Sequence, residues 1–125
     1  MKKLLSVMLS LLLLISCIPL GAVAAASYGA VYGTVDKSAV ERGDTFTMSV
    51  NMANNPGLVC WLIDVDFDSA ALELVSQTKG DAFSGIGSFS FGPMKAGYTN
   101  ALWYDFLAME NYTNNGQLFS LTFRV

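Results

Sequence analysis

No histidine occurs anywhere in the 125 residues. A His-based triad, a His general base and most zinc sites are thereby excluded. Cysteine is almost as scarce: Cys17 and Cys60 are the two. Cys17 falls in a leader segment, so the body of the chain holds Cys60 alone and can form no internal disulfide. Cys60 reads as a small hydrophobe in a strand, with a bridge between chains as the alternative. Bases are few and unclustered. Beyond the leader they are Lys37, Arg42, Lys79, Lys95 and Arg124, five against ten acids, for a net charge of −5. Such a domain is a poor nucleic-acid binder and a poor ligand for anionic membrane surfaces. A phosphate-binding glycine loop is missing as well. Gly85-Ile86-Gly87 lacks the third glycine and the following helix. After the leader there is no long helical pattern, internal repeat, linker or low-complexity segment.

The one long apolar run is the leader. Lys2 and Lys3 give a positive start, and Leu4 to Ile15 is apolar apart from Ser6 and Ser10. Pro19 and Gly21 break any helix, and Ala22-Val23-Ala24 and Ala24-Ala25-Ala26 offer small-residue cleavage sites. This is the pattern of a secretory signal peptide over residues 1–26. The run is short for a spanning helix, which needs about 20 residues. Leu14-Ile15-Ser16-Cys17 also spells a lipobox, so the alternative to free secretion is a lipid anchor on Cys17 at the cell surface. Cleavage after Ala26 leaves residues 27–125, one small domain with a single core.

Within that domain, short strands alternate with turn signals. Ala30 to Val35 reads as a first strand, and Glu41-Arg42-Gly43-Asp44 as a turn. Thr45 to Met52 then alternates without error, with Phe46, Met48, Val50 and Met52 on one face. Asn54-Asn55-Pro56-Gly57 is a turn. Leu58 to Phe67 is the next strand. Val59, Trp61, Ile63, Val65 and Phe67 form its core face, and Cys60, Leu62, Asp64 and Asp66 its other face. One helical turn capped by Asp68 or Ser69 fits the segment to Leu74. An extended run follows to Gln77. Lys79 to Ser90 reads as a Gly- and Ser-rich loop or short irregular strand, anchored by Phe83, Ile86 and Phe89. Asn100 to Met109 is expected as a strand, with Leu102, Tyr104 and Phe106 opposite Trp103, Asp105 and Leu107. Which set faces outward stays open. Asn114-Asn115-Gly116 is a hairpin-type turn. Gln117 to Val125 closes the chain with Phe119, Leu121, Phe123 and Val125 inward. Many short strands with regular turns imply an all-β sandwich.

Asp64, Asp66 and Asp68 alternate in one run, roughly 6.6 Å apart along a strand. An EF-hand calcium loop starting at Asp64 needs glycine sixth and glutamate twelfth; Ser69 and Val75 stand there. A solvated strand face or a partner-binding surface fits better than catalysis or metal. Arg42-Gly43-Asp44 spells the tripeptide read by integrins but works equally as a tight turn. Asn111-Tyr112-Thr113 is a glycosylation sequon on a chain whose leader is bacterial in style.

Four stretches resemble one known family. These are Arg42-Gly43-Asp44 through Val50; Asn54-Asn55-Pro56-Gly57-Leu58 through Asp66-Phe67-Asp68; Ala71-Leu72-Glu73-Leu74-Val75; and Trp103-Tyr104-Asp105 with Asn115-Gly116 through Val125. In order and spacing the chain from about Val31 resembles a cohesin domain, the receptor module of bacterial cellulosome scaffolds. The resemblance implies an all-β jelly-roll sandwich that is not an enzyme and needs no cofactor. It implies that the partner is a dockerin on secreted polysaccharide-degrading enzymes, with the calcium in the dockerin. It also implies that one sheet face carries the contact, formed by Cys60, Leu62, Asp64 and Asp66 with Tyr104 from the later strand. Polar residues are common in the family at the first two of these places, so Cys60 and Leu62 suggest a more apolar contact. Cohesins carry further strands past the segment ending in Val125. The domain is therefore expected to be C-terminally incomplete, with an unpaired sheet edge and a partly exposed core. The alternative on the same sandwich is a carbohydrate-binding module using an aromatic platform, drawn from Trp61, Trp103, Tyr98, Tyr104 and Tyr112.

Overall fold

A computed structural model describes residues 29–107 and 110–125. The leader, its cleavage sites and Cys17 lie outside the described residues. Seven strands follow one another: β1 Ala30–Val35, β2 Thr45–Ala53, β3 Cys60–Asp66, β4 Glu73–Lys79, β5 Ser88–Phe91, β6 Tyr98–Tyr104 and β7 Gly116–Arg124. They form a four-stranded sheet in the order β1-β2-β7-β4 and a three-stranded sheet in the order β3-β6-β5. All named pairings are antiparallel. The all-β sandwich expected from the alternating pattern is what the chain forms.

The core lies where the inward faces of the two sheets meet. β2 contributes Val50 and Met52, β7 Phe119, Leu121 and Phe123, β3 Trp61, and β6 Ala101 and Trp103, all buried. Aromatic rings join the layers. Trp61 stacks on Phe119 with centroids 6.1 Å apart, and Phe67 meets Phe123 edge-on at 5.1 Å. Each fully buried large side chain contributes about 1.5–3 kcal/mol by leaving water. One polar pair also crosses the sandwich: the Gln77 amide of β4 donates to the hydroxyl of Thr99 on β6, which is fully buried. That bond removes the penalty of an unpaired buried hydroxyl.

The turns behave as their residues dictate. Glu41 to Asp44 closes with an Asp44 N–H to Glu41 C=O bond of 3.0 Å, and Gly43 takes a positive φ of 93°. Asp68 caps a single turn: its carboxylate accepts from the Ala70 N–H, and its carbonyl accepts from Leu72. Asn55 does more than turn the chain. It is buried, its amide donates to the carbonyls of Tyr112 and Asn114, its backbone N–H donates to Asn115 Oδ1, and its Oδ1 accepts from Gly57. One side chain thus ties the 54–57 turn to the 112–115 loop with its polar groups satisfied.

Three expectations are corrected. The strand expected to run from Asn100 to Met109 is Tyr98–Tyr104 instead. Asp105 turns the chain, its carboxylate accepting from the Leu107 N–H. Leu58 keeps only a bridge to Tyr112, so β3 begins at Cys60 rather than Leu58. Asn114-Asn115-Gly116 is not a hairpin, because β6 and β7 belong to different sheets; the segment carries the chain from one sheet to the other. The pattern also gives no warning of Leu118, which is buried beside Phe119. The β2–β7 register shifts there, pairing Val50 with Phe119 and Asn51 with Gln117. Leu118 is the extra residue of a bulge, which breaks the alternation locally.

The edges of β1 and β3 are unpaired among the described residues. Val31 and Val35 lie on the same side of their sheet as Met52 and Met48, their register partners, yet are 50% and 56% exposed. A cleft runs between these edges, lined by Val31, Met52, Pro56, Leu58, Trp61 and Ile63 among others. The expected open edge and partly exposed core are therefore present in this sandwich. Trp61 Nε1, buried with no partner, belongs to the same region.

Candidate functional site

The outward face of the three-stranded sheet collects the residues singled out in the sequence. In β3 the exposed positions are Cys60, Leu62, Asp64 and Asp66, while Trp61 is buried and Ile63 and Val65 are half-buried. Register pairing gives four rows. Cys60 lies beside Tyr104 and then Ser88; Leu62 beside Leu102 and then Ser90; Asp64 beside Asn100; and Asp66 beside Tyr98. The open parity of β6 is thus resolved. Thr99, Ala101 and Trp103 are fully buried, so Tyr98, Asn100, Leu102 and Tyr104 face out. All five expected site residues, Cys60, Leu62, Asp64, Asp66 and Tyr104, share one surface.

That surface has two unlike halves. On β3 and β6 the Cys60 and Leu62 rows are largely apolar, with Ser88 and Ser90 of β5 at their far end; Leu62 is 59% and Tyr104 38% exposed. The Asp64 and Asp66 rows are polar and acidic. Neither carboxylate has a basic partner, since the single ion pair among the described residues joins Arg124 to Glu73. A hydrogen-bonded chain organises this half. Asn100 Nδ2 donates to the Tyr98 hydroxyl at 2.8 Å, and that hydroxyl donates to Asp64 Oδ1 at 2.7 Å. Gly92 makes room for it, because a Cβ there would collide with the Asn100 amide. One Asp64 oxygen is held in place and the other is left open to a partner.

The hydrogen bond to Asp64 raises the Tyr98 hydroxyl above its usual value near 10, with partial burial adding to the rise. The neutral phenol is the form that donates, so the bond persists below the raised value and is lost as pH climbs through it. Replacing Asp64 with asparagine removes the charge that holds the proton. Ultraviolet titration is expected to show the Tyr98 ionisation moving down in Asp64→Asn, with Tyr98→Phe identifying which transition is its own.

The aromatic-platform alternative loses most of its members. Trp61 and Trp103 are in the core, and Trp103 donates its Nε1–H to Ile86 O at 2.7 Å. Tyr112 packs edge-on against Trp103 and donates to Asp105 Oδ2. Only Tyr98 and Tyr104 remain on the face, in rows at opposite ends of β6. Among the described residues no group of three or more His, Cys, Asp or Glu side chains is placed to hold a metal ion.

The sequence pattern does not single out Asn100, Leu102 or the two serines of β5, which the register brings onto this face. The inward set of β6 includes a polar Thr99 and a small Ala101, whereas the outward set includes Leu102 and Tyr104. Hydrophobicity therefore favours neither parity. The discriminating signal is Trp103, whose size and single donor suit a core position with a carbonyl in reach.

The fold is a two-sheet antiparallel sandwich whose three-stranded sheet presents an ordered outer face, apolar toward Cys60 and Leu62 and acidic toward Asp64 and Asp66. The chain belongs to the cohesin family: the cohesin domain profile matches residues 32–125. It is 34% identical over 99 residues to Cellulose-binding protein A of Clostridium cellulovorans, covering 76% of this chain and 5% of that protein's length. Among solved structures it resembles a type I cohesin–dockerin complex from Clostridium thermocellum, with TM-score 0.59, 20% identity, and coverage of 77% of this chain and 72% of that one. It also resembles the sixth cohesin of scaffoldin B from Acetivibrio cellulolyticus, solved with a dockerin. There the TM-score is 0.59 and the identity 18%, covering 76% of this chain and 70% of that one.

Proposed function

We propose that this chain is an exported, non-catalytic receptor module that binds a dockerin through the outer face of β3 and β6, serving assembly of polysaccharide-degrading enzymes. Family membership supports the class of partner. The observation that carries the reading on this chain is the face itself: Cys60, Leu62, Asp64, Asp66 and Tyr104 lie together, exposed, on an ordered sheet. Strands hold these side chains at fixed spacing, so little ordering entropy is lost on binding. Calcium belongs to the dockerin in this scheme and none is required here.

The leader, read over residues 1–26, supports export, with a lipid anchor on Cys17 as the alternative route to the cell surface. Mass spectrometry of the mature protein separates these. An N-terminus at Ala25 or Ser27 means free secretion; a diacylated Cys17 means an anchor.

The partner class is tested by native gel electrophoresis of the exported chain. A calcium-loaded dockerin should shift its band, while cellulose or xylan cast into the gel should leave mobility unchanged. Retardation by polysaccharide without a dockerin shift would overturn the proposal.

A further inference from the structure

An edge strand offers unpaired backbone groups to any further strand, and soluble proteins guard such edges with charge, proline, bulges or short length. The four edge strands among the described residues are β1 and β4 in one sheet and β3 and β5 in the other. Three of them are guarded. β4 carries Glu73 and Lys79 at its ends and a register shift between Leu74 and Ser76. β3 carries Asp64 and Asp66, and β5 is only four residues long. β1 reads Ala30-Val31-Tyr32-Gly33-Thr34-Val35, with no charge, no proline and no register shift, and all six residues are exposed.

The phase of the β1–β2 ladder tells which backbone groups are free. The Asp36 N–H donates to Thr47 O at 3.1 Å, continuing the β1–β2 register by one position. Hydrogen-bonded pairs alternate along an antiparallel ladder, so Thr34, Tyr32 and Ala30 turn their backbone groups to β2, and Val31, Gly33 and Val35 turn theirs away from it. The same three residues lie on the core side of the sheet, opposite Met52, Val50 and Met48. Thr34 lies on the outer side, where the Asn51 amide donates to its hydroxyl at 3.3 Å. One edge therefore combines free N–H and C=O groups with two valines that are 50% and 56% exposed.

We propose that the occupant of this edge is a second copy of the chain: two β1 strands pair antiparallel about a two-fold axis at Gly33, joining the four-stranded sheets of two copies into one. The sequence of the edge selects this partner. Valine, glycine and valine at positions 31, 33 and 35 read the same in both directions, which is what a contact between identical patches requires. In this register Val31 faces the partner's Val35 and Gly33 faces its own counterpart, each pair exchanging both N–H···O bonds. The valines cover one another on the core side, and Gly33 keeps the axis clear of side chains. On the outer side Tyr32 stands across from the partner's Thr34, an aromatic and β-branched pair. Asp36 falls across from the partner's Ala30, so no like charges oppose each other. The inference stands apart from the dockerin reading, whose face belongs to the other sheet.

The test uses the full chain, processed by an exporting host and held in reductant so that exposed Cys60 cannot bridge two copies. Sedimentation equilibrium is expected to show a monomer–dimer equilibrium. Val31→Lys with Val35→Lys sets like charges across the contact and should weaken dimerisation about 10-fold or more. Val31→Lys with Val35→Glu sets unlike charges across it in the proposed register only, and should recover most of that loss at low salt. Melting of dilute samples checks that each variant is folded. Amide hydrogen exchange on the unaltered chain gives a reading that needs no variant. The Val31, Gly33 and Val35 amides should exchange fast in dilute samples and slow as concentration rises, while Tyr32 and Thr34 stay slow throughout. A chain that remains monomeric up to about 1 mM would overturn the inference. So would a dimer seen only without reductant, which would belong to Cys60, or a dimer in which those three amides gain no protection.

Discussion

Replacing Trp103 with alanine is expected to cost about 3–5 kcal/mol of folding stability, the range for emptying a large aromatic site in a core. Trp103 is fully buried, and its ring lies 4.3 Å centroid to centroid from Phe83 and meets Tyr112 edge-on. Phe83 is the anchor of the 80–87 loop and is itself buried. Alanine would leave Phe83 and Tyr112 without their shared neighbour and leave the Ile86 carbonyl without its donor. Tyr112 also supports Asp105, so the loss spreads to the turn that displays Phe106. In a domain of this size each kcal/mol moves the melting temperature by about 4–8 °C, so the drop should exceed about 12 °C. Trp103→Phe keeps most of the apolar volume and loses the hydrogen bond, and should cost about 1–3 kcal/mol. A calorimetric scan of both variants checks the order. Equal effects would mean that the bond, rather than the packing, dominates.

Leu62→Asp is expected to do the opposite: little to stability and much to binding. Leu62 is 59% exposed, so its substitution empties no core site. On the face, however, it stands beside Leu102 and two positions from Asp64 along β3. A carboxylate there removes the centre of the apolar half and places a third negative charge in the β3 row. A buried interface anchor of this kind is worth about 2 kcal/mol or more, a loss of about 30-fold in affinity. A melting temperature within a few degrees of the unaltered chain, with dockerin binding at least that much weaker, is the predicted outcome. A variant that binds normally would take the contact off β3.

Much of this was legible because strand alternation ties sequence to face. Phe46, Met48, Val50 and Met52 on β2, and Cys60, Leu62, Asp64 and Asp66 on β3, follow from period two alone. Where both faces of a strand carry apolar residues, the rule is silent. That is why the sequence points to Tyr104 without fixing its parity and gives no sign of Leu102 and Asn100 beside it. Bulges defeat the rule outright, and Leu118 enters the core on the parity that should face out. Turn chemistry located Gly43 and Asp68 correctly but misassigned Asn115-Gly116, since a glycine with positive φ suits a crossing between sheets as well as a hairpin. Networks between distant loops, such as Asn55 to the 112–115 segment, leave no periodic trace. The exposed tip at Phe106 reads as strand because the apolar run continues past Tyr104 with no glycine or proline to end it; the Asp105 bonds reveal the turn.

Titration calorimetry of the exported chain against a panel of dockerins, with calcium and with chelator, tests the central claim most directly. The account predicts saturable binding of at least one dockerin, present with calcium, lost without it and weakened at least about 30-fold by Leu62→Asp. A folded, cooperatively melting chain that binds none of them, or whose binding is indifferent to Leu62→Asp, would contradict the receptor role assigned to the β3–β6 face.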